Sequence, residues 1–142
     1  MPPTQIPTAV QTIFVNAENK YLLQMRNNHP GIIYPLQWGF FGGGIDGDEP
    51  VTTAACRETF EEMGIEQAPE DFELLGTIPH TIVTGQLVYV FRYQKPIEWN
   101  MIRLAEGAGA GFFSTEEIQL IDANPLAKQI ASRFLDKSQA ID

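Results

Sequence analysis

Three consecutive glycines, Gly42 to Gly44, lead through the polar turn IDGDE into Pro50, and Gly64 closes the stretch that follows. Proline favours the first position of a helix and glycine the position just past its end, so the pair brackets a helix over about 50–63. At about 100° per residue, Cys56, Thr59, Phe60 and Met63 fall on one side of that helix. Glu58, Glu61 and Glu62 fall on the other, one turn apart. Two readings fit this pattern. One is an ordinary amphipathic helix with a solvated acid face; the other is a surface built to hold cations.

Three details favour the second reading. Like charges three and four residues apart repel by a few tenths of a kcal/mol per pair, and no lysine offsets them. Only Arg57 reaches Glu61 along the helix. The turns above the glutamates on their own face carry Val51, Ala54 and Ala55, small residues that leave room for another group to approach. The glycines ahead of the helix allow backbone to come close to a ligand without a Cβ in the way, which makes Gly43 and Gly44 candidate substrate contacts. Carboxylates at this spacing suit Mg²⁺ or Mn²⁺, which take oxygen ligands. A single cysteine, Cys56, and two histidines, His29 and His80, provide neither a disulfide nor a softer metal cluster.

The totals are consistent with that chemistry. A chain of 142 residues suits one domain over 1–142, with 1–8 and 137–142 read as frayed tails. A net charge of −9 argues against a nucleic-acid polymer as partner, because phosphate backbones are bound by excess Lys and Arg. A small phosphorylated ligand remains compatible, with metal between acids and phosphate. No apolar run reaches the length of a membrane span, and the opening MPPTQIPTAV lacks the pattern of a signal peptide, so a cytoplasmic location is expected.

Along the chain, residues 9–25 read as a β-hairpin around NAENK, and 27–50 as a long structured loop with one or two short strands. FELLGTIPHTIV and QLVYVFRYQ read as antiparallel strands joined near Thr84-Gly85. A loop, KPIEWNMIRLAEGAGAG, precedes a short strand, GFFS. Ser114 caps a helical turn, TEEIQLI, and a last helix over about 124–136 carries Leu126, Ile130, Phe134 and Leu135 on one stripe. This order predicts an α+β or α/β/α layered domain around a mixed sheet.

Gly43, Glu49, Arg57-Glu58, Glu61-Glu62 and Gly64-Ile65, at these spacings, resemble the Nudix box. Seven of these eight positions, taken as fixed in identity, would agree by chance with odds on the order of 10⁻⁸ per start at ordinary residue frequencies. The box covers only residues 43–65, but the surrounding element order is also similar to the Nudix fold, an α/β/α sandwich around a mixed β-sheet. The resemblance implies metal-dependent hydrolysis of a nucleoside diphosphate linked to another group, by water attacking phosphorus. It makes Glu58, Glu61 and Glu62 metal-binding carboxylates, has Glu49 and Arg57 brace the box, and lets the loop turn under the helix at Gly43, with Gly44 beside it as a close-approach position.

Three positions outside the box resemble the MutT-type branch, which hydrolyses nucleoside triphosphates, including oxidised ones. Arg26 stands where that branch contacts phosphate, or is an exposed strand-end arginine. Glu106, in AEGAGAGFFS, stands where the branch has a further metal ligand or general base. Asn124 matches an asparagine that reads a purine edge, and equally reads as a helix N-cap ahead of Pro125. The alternatives are a GDP-mannose-like nucleotide-sugar hydrolase of the same fold and a nucleotide sensor that does not cleave. Homodimers are common in the family.

Departures from the family pattern are Thr59 at an aliphatic position, Phe41 where proline is usual, and Gly47-Asp48 ahead of Glu49. Thr59 is expected to bond back to the carbonyl one turn earlier. Trp38, Phe40 and Phe41 read as core aromatics or as a stacking surface for a base, His80 as a structural histidine, and Cys56 as packing.

Overall fold

The computed structural model describes residues 6–26, 36–80, 85–104 and 109–135. Among the described residues, seven strands and three α-helices follow one another as β1 (Ile6–Ile13), β2 (Tyr21–Met25), β3 (Trp38–Gly39), β4 (Phe41–Gly44), α1 (Val51–Met63), β5 (Phe72–Pro79), β6 (Gln86–Tyr93), β7 (Gly109–Phe113), α2 (Thr115–Leu120) and α3 (Pro125–Phe134). A four-stranded sheet has the order β4-β1-β6-β5 and a three-stranded one the order β3-β2-β7. The larger sheet is mixed: β1 runs parallel to β6 and antiparallel to β4.

Side chains alternate across the strands, so neighbours along the chain feed opposite cores. Val10, Leu22, Phe41 and Phe91 pack with Ala54, Ala55 and Met63 of α1. Ile13, Leu23, Phe40 and Val90 pack with Leu126, Ala127 and Ile130 of α3. Helices therefore cover both faces, giving the expected α+β sandwich. Each helix ends as its caps dictate. Gly64 takes the left-handed conformation at φ 69° and donates its N–H to Phe60 O. Ser114 and Glu117 form a reciprocal capping box at α2.

Four expectations need correction. Residues 9–25 are not a hairpin beyond their turn. Asn16 Oδ1 accepts from the N–H groups of Glu18 and Lys20, and Val15 bridges Tyr21. Both edges of β1 are then occupied by β4 and β6, so β2 diverges to pair with β3 and β7 instead. Next, Pro50 is the N-cap of α1 rather than its first residue. Third, β1 begins at Ile6, inside the stretch read as a frayed tail; residues 1–5 and 137–142 lie outside the described residues.

The orientation of α1 is the largest difference. Phe60, placed on the apolar stripe, is 53% exposed, while Glu62 is 5% exposed. Ala54 and Ala55 are fully buried, so the group admitted by those small side chains is the protein's own sheet. The helix packs through alanines against the glycine strand β4, and two of the glutamates are carried inward with them.

Candidate active site

The acid face of α1 is braced from one point. Arg57 donates Nε and Nη2 to the two carboxylate oxygens of Glu49, both at 2.9 Å. Its Nη1 donates to Glu58 Oε1 at 3.0 Å and Glu61 Oε1 at 3.1 Å, and Nη2 also reaches the carbonyl of Gly44 at 2.9 Å. Asp46 adds a looser ion pair at 3.4 Å. A planar guanidinium with five N–H donors suits this fork-like arrangement. The hydrogen bond from Arg57 holds the Glu49 carboxyl below its usual range, with a second from the Asp46 N–H. The bond that Arg57 donates to Glu49 in turn raises the Arg57 pKa, so the guanidinium stays charged.

Gly43 explains why the loop carries no side chain at this point. A Cβ there would lie 2.5 Å from Cδ, Oε1 and Oε2 of Glu58, so the carboxyl lies flat against the backbone of β4. Gly44 contributes its carbonyl to the Arg57 brace. The three helical glutamates thus have different settings. Glu58 is largely buried against β4, Glu61 is 54% exposed, and Glu62 is buried with Oε2 accepting from Gln24 Nε2 at 3.5 Å.

As donors, these groups suit a hard cation: all are carboxylate oxygens, on one helix, within one turn. Among the described residues, no three acids already converge on one cation-sized point. Glu106 lies outside the described residues. Arg26 continues the β2 ladder through its backbone, and its Nε is buried without a hydrogen-bond partner among the described residues.

Asn124 is the N-cap of α3, accepting from the Ala127 N–H at 2.7 Å through Oδ1. Its amide nitrogen faces Gly39, where a Cβ would come within 2.6 Å. Phe40 and Phe41 are core residues, whereas Trp38 is half-buried, edge-on to Phe113 at 4.9 Å. His80 pairs its N–H with Gln86 O, and burial lowers its pKa. Cys56 is half-buried beside the α1-side core. Gln24 escaped the sequence reading; its signal was a lone amide in the otherwise apolar run YLLQM.

The match to known proteins agrees with this geometry. The model of the NUDIX domain family matches residues 6–134. The chain belongs to that family, and as such is a hydrolase acting on pyrophosphate bonds. The MutT protein of Methanosarcina mazei Go1 superimposes with a TM-score of 0.74 at 21% identity, over 98% of both chains. The E. coli dihydroneopterin triphosphate pyrophosphohydrolase gives 0.71 at 18% identity, over 93% of this chain and 97% of that one. A MutT/nudix family protein from Enterococcus faecalis gives 0.58 at 22% identity, over 80% of this chain; the match spans 46% of that longer protein. At these identities the likenesses establish the fold. Among curated proteins, none matches at a significant level. No helix among the described residues is long and apolar enough to cross a membrane.

Proposed function

We propose that this chain is a Mg²⁺- or Mn²⁺-dependent pyrophosphohydrolase that cleaves a nucleoside diphosphate linked to another group, a nucleoside triphosphate or oxidised nucleotide first among them. Glu58, Glu61, Glu62 and Glu106 hold the cation. When bound, it offsets phosphate charge and makes water more acidic. The protein's own groups do the rest. Arg57 fixes Glu58 Oε1 and Glu61 Oε1 at a common point, and Gly43 lets the Glu58 carboxyl lie beside the loop. Glu58 or Glu106 takes the proton of the attacking water. The Arg26 guanidinium donates to phosphate oxygens as charge grows on them. Asn124 presents its amide to the base.

The observation that carries this reading is the single guanidinium holding Glu49, Glu58 and Glu61 together. A merely solvated acid face has no use for it. The test incubates the protein with Mg²⁺ and a panel of nucleoside triphosphates, oxidised nucleotides, nucleotide sugars and dinucleoside polyphosphates, and measures phosphate and pyrophosphate release. Turnover of a triphosphate to monophosphate and pyrophosphate is expected, with Glu62→Gln slower by orders of magnitude at an unchanged melting temperature. Tight binding of one nucleotide without cleavage of any would replace the reading with a sensor.

A further inference from the structure

We infer that Gln24 is a positioning residue for Glu62, orienting that carboxylate for a divalent cation through an uncharged donor. The inference rests on the metal-dependent reading above and adds to it a residue outside the box. Alternation along β2 places Leu22, Gln24 and Arg26 on one face, toward α1. Leu22 is fully buried and packs in the cluster that includes Met63 of α1. Two residues on, Gln24 is 5% exposed and aims Nε2 at Glu62 Oε2, a contact between residues 38 apart in sequence. Arg26 then carries the buried Nε. One strand face therefore passes from apolar, to neutral and polar, to cationic as it leaves the core.

The choice of amide has a physical reason. A buried polar side chain is costly unless it is hydrogen-bonded, so an amide in an apolar run marks a required donor. Lysine or arginine at this position would fix the carboxylate but also cancel its charge. A serine or threonine hydroxyl would be too short to bridge strand and helix. Glutamine donates N–H without adding a formal charge of its own beside Glu62. Glu58 and Glu61 are treated differently, since each shares one oxygen with Arg57. Gln24 thus brings a neutral donor to the most buried member of the acid set.

Calorimetric titration of the full chain with Mn²⁺ alone tests this, on wild type, Gln24→Met, Gln24→Asn, Glu62→Gln and the Gln24→Met/Glu62→Gln double variant. Methionine keeps the volume and removes the donor; asparagine keeps an amide that falls short, and carries the test if the methionine variant does not fold. Partners that orient metal ligands are typically worth 10–100-fold in affinity. Mn²⁺ affinity is expected to fall about tenfold in both Gln24 variants, with no further loss when Gln24→Met is added to Glu62→Gln. A purely structural glutamine would lower the melting temperature and leave Mn²⁺ affinity alone. Unchanged affinity in Gln24→Met or Gln24→Asn beside a binding wild type, or a loss additive with that of Glu62→Gln, overturns the role of Gln24 only. A wild type with no Mn²⁺ affinity overturns the metal-dependent reading itself.

Discussion

The Glu58 carboxyl lies flat on the α-carbon of Gly43, close enough that all three of its heavy atoms would stand 2.5 Å from an added Cβ. Gly43 does not have a positive φ, so alanine is conformationally acceptable there, and the nearest conflict is with the far end of the Glu58 side chain. Gly43→Ala should leave stability within about 1 kcal/mol of wild type, because strand alanine offsets some of the crowding. Turnover should fall tenfold to about a hundredfold as the carboxyl is displaced. A thermal melt beside a steady-state assay reads both; full activity in this variant would remove Glu58 from the reacting centre.

Arg57 makes five hydrogen bonds from one guanidinium. An ammonium has three protons and no fork, so Arg57→Lys keeps the charge and loses the bidentate grip on Glu49. The site is partly solvated, so the expected loss of stability is modest. Turnover should fall as well, since Glu58 and Glu61 lose their common anchor. Denaturant unfolding of Arg57→Lys measures the first effect, and wild-type stability there would mean the brace is decorative.

Acid should weaken the fold in two stages. Burial lowers the His80 pKa below its usual 6.5, so between those values the unfolded chain binds a proton that the folded one refuses. Stability is complete above about pH 6.5 and declines as pH drops through that range. Glu49 and Glu117 are held below the usual 4.5, Glu49 first by Arg57 and Glu117 first by the Ser114 N–H. Their contribution is present above 4.5 and is lost as pH falls toward their folded values. Melting temperature against pH should show both declines, and His80→Gln should erase the upper one. An unaltered upper decline in that variant would assign it elsewhere.

Much of this was readable from residues whose effects are local. Gly64 ends α1 because only its left-handed φ suits the cap, and Ser114 and Glu117 sit three apart as a capping box requires. Thr59 bonds back to the Ala55 carbonyl at 2.7 Å, as a hydroxyl inside a helix does. The box glutamates and Arg57 are a fixed pattern along one helix. What escaped was tertiary. Periodicity assigned Phe60 to the core, but the sheet accepts the alanine side of α1, with Gly43 of β4 leaving room for the Glu58 carboxyl. The split of β1 from β2 depends on strands that arrive far later in the chain. Gln24 acquires meaning only once Glu62 is brought across from α1.

Asn124 joins two readings in one side chain, and its two ends separate them. Oδ1 caps α3 through the Ala127 N–H, while the amide nitrogen faces Gly39. Asn124→Asp keeps the capping oxygen, and negative charge at a helix N-terminus is favourable, so stability should stay within about 1 kcal/mol. The same change removes the amide donor that a purine edge would accept. Preference for a purine over a pyrimidine nucleotide should therefore fall about tenfold or more, the worth of one lost hydrogen bond in a desolvated site. Asn124→Ala loses cap and amide together and should cost about 1 kcal/mol besides. Ratios of kcat/KM for paired purine and pyrimidine substrates, with melts of all three proteins, distinguish the roles. An aspartate variant with wild-type stability and wild-type base preference would leave Asn124 as a helix cap and move base recognition to other residues.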